Sequence, residues 1–239
     1  MGASKSVLKG GVQKTITLNG VDYQGADMFI INNYPGLGEC VVLFQQQNKM
    51  GPYLQLPGGR CESKHQSLED TIYDELYEES KKSICVSKRV FQRMTERGSY
   101  VEYDGDLQGK IGKRRCFVAK VPFISEKIFN KNKEIFSKKL KKAFNQRNQI
   151  EQDKLRKYME TEHMVRIPLT QLGQIIASGE RRYQGVHIAT FVLNAYKLYM
   201  KMMPKSIFDL RLRTYTQKNN DNIFQDGPLL NIGKIDVYE

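Results

Sequence analysis

The chain has 239 residues, 40% apolar and 10% aromatic, a globular composition that excludes a disordered chain and suffices for one large domain or two small ones. Its 38 Lys plus Arg exceed its 26 Asp plus Glu, for a net charge of +12, which points to a polyanionic partner: nucleic acid, a phosphate-rich small molecule or an acidic membrane surface. No apolar run approaches the roughly 18 residues that span a bilayer.

The N-terminus, MGASKS, matches the pattern for myristoylation of Gly2, an acyl chain that alone would give only weak membrane association. No signal-peptide pattern leads the chain. The four cysteines (Cys40, Cys61, Cys85 and Cys116) lack metal-ligand spacing, so free thiols in a reducing, cytoplasmic setting are expected. Thr15–Leu18 alternates briefly. Residues 27–34 and 39–46 read as strands, and 53–57 (YLQLP) as a short strand running into Gly58-Gly59. Residues 67–82 read as a helix, with Leu68, Ile72 and Leu76 in one stripe and Ser67 as its N-cap. Strands are predicted over 86–94, 99–104 and 113–121, with a turn at 109–112.

Residues 125–159 carry eleven Lys or Arg against four acids, with apolar residues at helical spacing. They read as one or two basic amphipathic helices inserted between strands. A strand at 164–169, a short helix at 170–177 and an apolar helix at 186–203, stopped by Pro204, complete the pattern. The expected fold is α+β: a single domain over 1–239 with a core at about 27–203, the insertion at about 125–159 and a polar tail at about 205–239.

The acids are distributed against the overall charge. Glu69, Asp70, Asp74, Glu75, Glu78 and Glu79 fall within eleven residues, and no Lys or Arg occurs from His65 to Ser80. On a helix, Glu75, Glu78 and Glu79 stand at i, i+3 and i+4 and share one face. Three carboxylates so close repel one another unless a cation compensates, and Mg²⁺ or Mn²⁺ takes several carboxylate oxygens. Gly58-Gly59 just before lets backbone approach a ligand closely.

Taken together, Leu-Pro-Gly-Gly, a loop, and Asp74-Glu75-Leu76-Tyr77-Glu78-Glu79 resemble the Nudix box of the Nudix hydrolases. Arg166-Ile167-Pro168-Leu169 before a short helix is similar to a further segment of that family. The resemblance implies an α/β/α sandwich with a mixed sheet and hydrolysis of a diphosphate linked to another moiety. It also implies Glu75, Glu78, Glu79 and the Gly59 backbone as metal ligands. Glu75, Glu79, Glu160 and Glu162 become candidates for the catalytic carboxylates, and Arg60, Lys113, Arg114 and Arg115 for contacts to substrate phosphate. The sequence departs from the family pattern in four places. The loop is one residue longer, and His65 or Gln66 stands where the first box Glu is expected, with Glu62 as a possible substitute. Asp74 replaces the box Arg, and Ser80-Lys81-Lys82-Ser83 replaces the Gly after Glu-Glu.

The basic insertion suits an RNA backbone. The resulting expectation is a viral- or eukaryotic-type mRNA-decapping Nudix enzyme. Two alternatives stand beside it: hydrolysis of a small nucleotide, ADP-ribose, dinucleoside polyphosphate or diphosphoinositol substrate, and an RNA-binding protein of this fold without catalysis.

Overall fold

A computed structural model describes residues 14–107, 110–121, 124, 126–202, 208–209, 211–213 and 236–238. Gly2 and most of the polar tail lie outside them. Five strands come first: β1 (Ile16–Leu18), β2 (Val21–Tyr34), β3 (Gly38–Asn48), β4 (Gly51–Gln55) and β5 (Gly58–Arg60). Helices α1 (Leu68–Glu79) and α2 (Lys88–Glu96) lead to β6 (Tyr100–Leu107) and β7 (Lys110–Val121). The basic segment forms α3 (Glu126–Asn145) and α4 (Gln149–Lys157). Then come β8 (Thr161–Pro168), α5 (Leu169–Ala177), β9 (Arg182–Tyr183), β10 (Val186–Ile188) and α6 (Thr190–Met202). Three short strands close the chain: β11 (Phe208–Asp209), β12 (Arg211–Arg213) and β13 (Asp236–Tyr238).

The sheet is mixed. Its main path runs β11-β7-β2-β3-β4-β10-β9, with β1, β5, β6 and β8 paired beside it. The long central strand β2 explains how the candidate site arises. One edge pairs in parallel with β7 along Tyr23–Asn32. The other edge is shared: Ile30–Tyr34 pair with β3, whereas Gly25–Asp27 pair with β5. After β4 leaves β3, the chain therefore steps across at Leu56-Pro57 onto β2, and the sheet opens a notch at Gly58.

Each face of the sheet carries its own core. On one face Leu68, Ile72 and Leu76 of α1, Val90, Phe91 and Met94 of α2, and Phe129 of α3 pack against Met28, Ile30, Phe44 and Phe117. On the other, Leu172 and Ile175 of α5 and Val192, Ala195 and Tyr199 of α6 pack against Phe29, Ile31, Leu43 and Val118. Helices on both sides of a mixed sheet give the expected α+β sandwich.

Three local expectations fail. Residues 86–94 are helical from Lys88 rather than extended, because Val90, Phe91 and Met94 all face the core at helical spacing, with Phe91 edge-on to Phe117 at 5.3 Å. The predicted turn at 109–112 is shorter: Lys110, Ile111 and Gly112 already pair with β6. The apolar run from Val186 starts as strand β10, its His187 in register with Tyr53 of β4, and turns helical only at Thr190. Among the described residues no helix is long and apolar enough to cross a membrane. Cys40, Cys61, Cys85 and Cys116 are free thiols.

One of the charged pairs within the sheet is deeply buried. Arg114 of β7 and Asp27 of β2 are both almost fully buried. The guanidinium donates from Nε to Asp27 Oδ2 at 2.7 Å and from Nη2 to Oδ1 at 2.5 Å, and Nη2 also reaches the Gly59 carbonyl at 3.0 Å. Tyr103 of β6 donates its hydroxyl to the same carboxylate. Burial alone would depress the Arg114 pKa, but the Asp27 charge and hydrogen bonds hold it above the ordinary arginine value. Removing one partner leaves the other charge buried without its counter-charge. Arg114→Met is therefore expected to cost about 3–5 kcal/mol, read as a fall in the urea midpoint.

Candidate active site

Helix α1 begins at a capping box: Asp70 N–H donates to Ser67 Oγ, and the Asp70 carboxylate accepts from Ser67 N–H. Its buried stripe of Leu68, Ile72 and Leu76 fixes the helix rotation, and this aims Glu75 and Glu79 at the notch beside β5. Glu79 is only 4% exposed. Its Oε1 accepts from Gln46 and Gln55, and its Oε2 accepts the Gly58 N–H at 2.8 Å. Glu75 lies against Gly59 so closely that a β-carbon there would stand 2.2 Å from the Glu75 carboxyl carbon. Gly58 has φ +150° and would meet the Ala26 carbonyl and Asp27 in the same way. Gly58 is thus required for both its backbone conformation and room, and Gly59 for room.

Burial, then the charges of Glu78 and Glu62, push the Glu75 carboxyl up to about 8. Burial, then Glu75, push Glu79 well above the usual carboxylate range, against the hydrogen bonds from Gly58 and Gln46. Glu78 is raised by burial, which outweighs Lys157 and Lys64. Glu160, just before β8, is raised by its surroundings and then by Glu78, and its charge is felt at Glu75 and Glu79. Glu62 is lowered because Lys157 and Lys64 outweigh its burial. Glu162 offers only its backbone carbonyl to a described contact, from Lys133 at 2.7 Å.

A cavity of about 810 Å³ opens on the other side of the two glycines. Arg60 lines it, together with Tyr53, Gln55, His187, Phe191 and Asn194. Gln55 also bonds Glu79, and Tyr53 donates to Gln46 Oε1 at 3.0 Å, so the cavity wall and the carboxylates share their supports. Of the basic residues singled out in sequence, only Arg60 and Arg114 border this cavity. Lys113 instead pairs with Asp104 at 2.8 Å. Arg115 points to the opposite face of the sheet, bonded to Glu102 and stacked on Tyr100 with its guanidinium carbon 4.1 Å from the ring centroid. Tyr53, His187, Phe191 and Asn194 escaped sequence reading because β10 meets β4 only in three dimensions.

Two departures from the Nudix pattern acquire a physical meaning. His65 and Asp74, at the positions of the expected acidic and basic pair, touch at 3.3 Å. His65 Nδ1 accepts the Glu62 N–H at 2.9 Å, which leaves the proton on Nε2 to face Asp74. The contact between the two positions is kept while its polarity is reversed. Lys81 and Lys82, where the pattern has Gly, both adopt left-handed backbone, with φ of 53° and 62°. The insertion supports that strain. Asn132 of α3 donates to the Lys81 carbonyl at 2.8 Å, and Phe129 lies 4.9 Å from Lys81 Nζ, which itself donates to the Thr161 carbonyl. Lys82 Nζ sits among Tyr77, Tyr158 and Phe136 at 4.9, 5.3 and 5.5 Å.

No family model and no curated protein sequence matches the chain. Among solved structures it is similar to the Nudix domain of NrtR from Shewanella oneidensis complexed with ADP-ribose, at 11% identity and a TM-score of 0.41 over 75% of this chain and 86% of that one. It is also similar to an Ap4A hydrolase from C. elegans in a binary complex, at 12% identity and 0.40 over 75% and 98% of the two chains. The Nudix hydrolase RenU from M. smegmatis matches at 8% identity and 0.38 over 81% and 97%. These are remote likenesses in chain course.

Two outcomes follow from the geometry. Gly59→Ala should fold, since the clash falls on the mobile end of a side chain, but it should drive the Glu75 carboxylate out of the notch; a crystal structure of the variant reads this displacement. Glu75 binds a proton more tightly folded than unfolded, so its contribution to stability is full below about pH 4.5 and lost as pH rises through about 8. Metal-free protein should therefore lose stability over that window, and Glu75→Gln should flatten the curve in urea titrations at successive pH values.

Proposed function

We propose that this chain is a divalent-metal-dependent Nudix-type pyrophosphohydrolase whose substrate is the polyphosphate bridge of a capped RNA 5′ end. The observation that carries the reading is the buried Glu79 and the partly buried Glu75 meeting at Gly58-Gly59 beside a cavity of about 810 Å³. Among the described residues the nearby cation Lys157 pairs with Glu78, and no group of three or more acidic, His or Cys side chains is placed to hold a metal ion as they stand. The donors present are hard oxygens, and the raised carboxyls of Glu75, Glu78 and Glu79 mark a place where added positive charge is stabilising. Ligation of Mg²⁺ or Mn²⁺ by Glu75, Glu78 and Glu79 would therefore require these side chains to turn together, and the Gly59 carbonyl would add a further oxygen only on release from the Arg114 guanidinium. Such an ion, when bound, neutralises phosphate oxygens and acidifies a water molecule.

The protein's own residues supply the rest. Arg60 offers its guanidinium to phosphate in the cavity. Tyr53, His187 and Phe191 present ring surface to a base. Gln46, Gln55 and the Gly58 N–H keep Glu79 in one orientation. The proton of the attacking water passes to a carboxylate of Glu75, Glu79 or Glu160, which share one electrostatic field; Glu162 is the alternative acceptor on the adjoining strand. The exposed Lys131, Lys138, Lys141 and Lys142 of α3 and Arg147 in the turn after it offer a track for the RNA backbone.

The cavity by itself favours a second reading, hydrolysis of a free dinucleotide or nucleotide, because about 810 Å³ lies within the range of small-ligand pockets. Cap-labelled RNA with Mn²⁺ separates the two. Release of the cap as a nucleoside diphosphate, reduced about 10²–10⁴-fold in Glu79→Gln, is the expected result. Turnover of a dinucleoside polyphosphate with no cap release selects the small-substrate reading. Salt-sensitive RNA binding without turnover of either removes the enzyme.

A further inference from the structure

We infer that the buried His65 is a proton-sensitive latch: uncharged, its ring closes the turn between β5 and α1, and protonated, it releases that turn. The inference goes beyond the hydrolase reading and does not depend on it. The turn runs from Glu62 to His65 and is closed twice. The His65 N–H donates to the Glu62 carbonyl at 3.0 Å, and the Glu62 N–H donates to His65 Nδ1 at 2.9 Å. The second bond needs a bare nitrogen. An imidazolium donates from both nitrogens and accepts at neither, so a proton on Nδ1 sets N–H against N–H. The His65 side chain is 2% exposed, so a hydrogen bond lost at the ring is not readily replaced by water.

Charged and titratable groups reach His65 from each neighbouring segment. From α1, Asp74 Oδ2 lies 3.3 Å from Nε2, and Thr71 Oγ1 lies 3.2 Å from Nδ1. Asp74 by itself favours the imidazolium, but Lys64 of the turn pairs with it at 2.7 Å and with Glu62 at 3.4 Å. From just after β5, the Cys61 thiol, pushed up by burial, meets the ring through Thr71, whose hydroxyl donates to Sγ at 3.5 Å. From the segment before β1, Lys14 Nζ donates to the His65 carbonyl at 2.9 Å. Burial, then Lys64, hold the imidazole below the ordinary histidine value, against Asp74 and Glu62.

The turn joins the glycine strand to the helix that carries Glu75 and Glu79, and its Glu62 holds Lys157 of the inserted hairpin at 3.1 Å. Acid thus loosens the tie between the hairpin and the edge of the site. Unfolded, His65 takes its proton near pH 6.5, and folded only at a lower pH. Its contribution to stability is therefore full above about pH 6.5 and is lost as pH falls through the folded value, the direction opposite to that of Glu75.

The experiment is an NMR pH titration of the full isotope-labelled chain without metal or nucleotide. It reads the His65 ring nitrogens and the exchange protection of the Glu62 amide, with the Thr71 amide, bonded to the Ser67 carbonyl, as internal reference. At neutral pH a proton on Nε2 and a bare Nδ1 are expected. The ring should titrate at a lower pH than histidine in an unfolded peptide, and Glu62 protection should fall about tenfold over the same range, the equivalent of one hydrogen bond. In His65→Asn, whose amide oxygen replaces Nδ1 as acceptor and does not titrate, protection should stay independent of pH. His65→Leu, which keeps bulk without an acceptor, should lose it about tenfold at every pH. A proton on Nδ1 at neutral pH, a ring that titrates at or above the unfolded value, or Glu62 protection that ignores the ring titration overturns the latch, and all three are read on the wild-type chain. A fall in protection that persists in His65→Asn overturns it as well. None of these outcomes touches the hydrolase reading, which rests on Glu75 and Glu79.

Discussion

A carboxylate with no place in an apolar core organises the candidate site. Glu79 sits on the last turn of α1, 4% exposed, and its two oxygens take hydrogen bonds from β3 through Gln46, from β4 through Gln55 and from β5 through the Gly58 N–H. Burying such a group is costly unless it is fully hydrogen-bonded. The sheet meets that demand by opening between β3 and β5, so one residue fixes the helix, the notch and the glycine turn together. Glu75, one helical turn earlier, then reaches Gly59, and the strand edge on the other side of the turn becomes the wall of the cavity.

The Asp27–Arg114 pair supports the same place from behind. It ties β2 to β7, and its guanidinium also bonds the Gly59 carbonyl, so the floor of the notch is braced by a buried charge pair. A pair of this kind is at best a modest source of net stability. Its value here is positional: Gly59 is held from below by Arg114 and bounded from above by Glu75.

The insertion emerges as more than a basic attachment. Glycine is the usual residue for a left-handed exit from a helix. This chain makes that exit with Lys81 and Lys82, and α3 and α4 supply what those residues need: Asn132 for a carbonyl, Phe129 for one ammonium stem, Phe136 and Tyr158 for the other. Burial, then Lys133, lowers Lys81 to about 7, and burial, then Lys139 and Lys154, lowers Lys82 to about 8. The aromatic residues of the insertion thus serve Lys81 and Lys82 at the end of α1, while its own exposed lysines face solvent.

Local order was legible in the sequence wherever a single element carried the signal. The stripe of Leu68, Ile72 and Leu76 and the cap at Ser67 announced α1 and placed Glu75, Glu78 and Glu79 on one face, because helical periodicity is a property of neighbours in the chain. The short strand before Gly58-Gly59 was legible for the same reason, whereas the pairing of the two glycines with β2 as β5 was not. The segment over 88–96 misled because Val86 and Val90 suit a strand while Phe91 and Met94 complete a helical face, and only the core decides between them. The reversal of polarity between His65 and Asp74, the opposed directions of Arg114 and Arg115, the cavity wall drawn from β10 and α6, and the reach of Lys157 to Glu78 join residues far apart in the chain or depend on which face of a strand meets which core. The sequence by itself determined which carboxylates stand together on a helix. Tertiary packing alone decided what surrounds them, because burial and charge contact are set by the approach of distant segments.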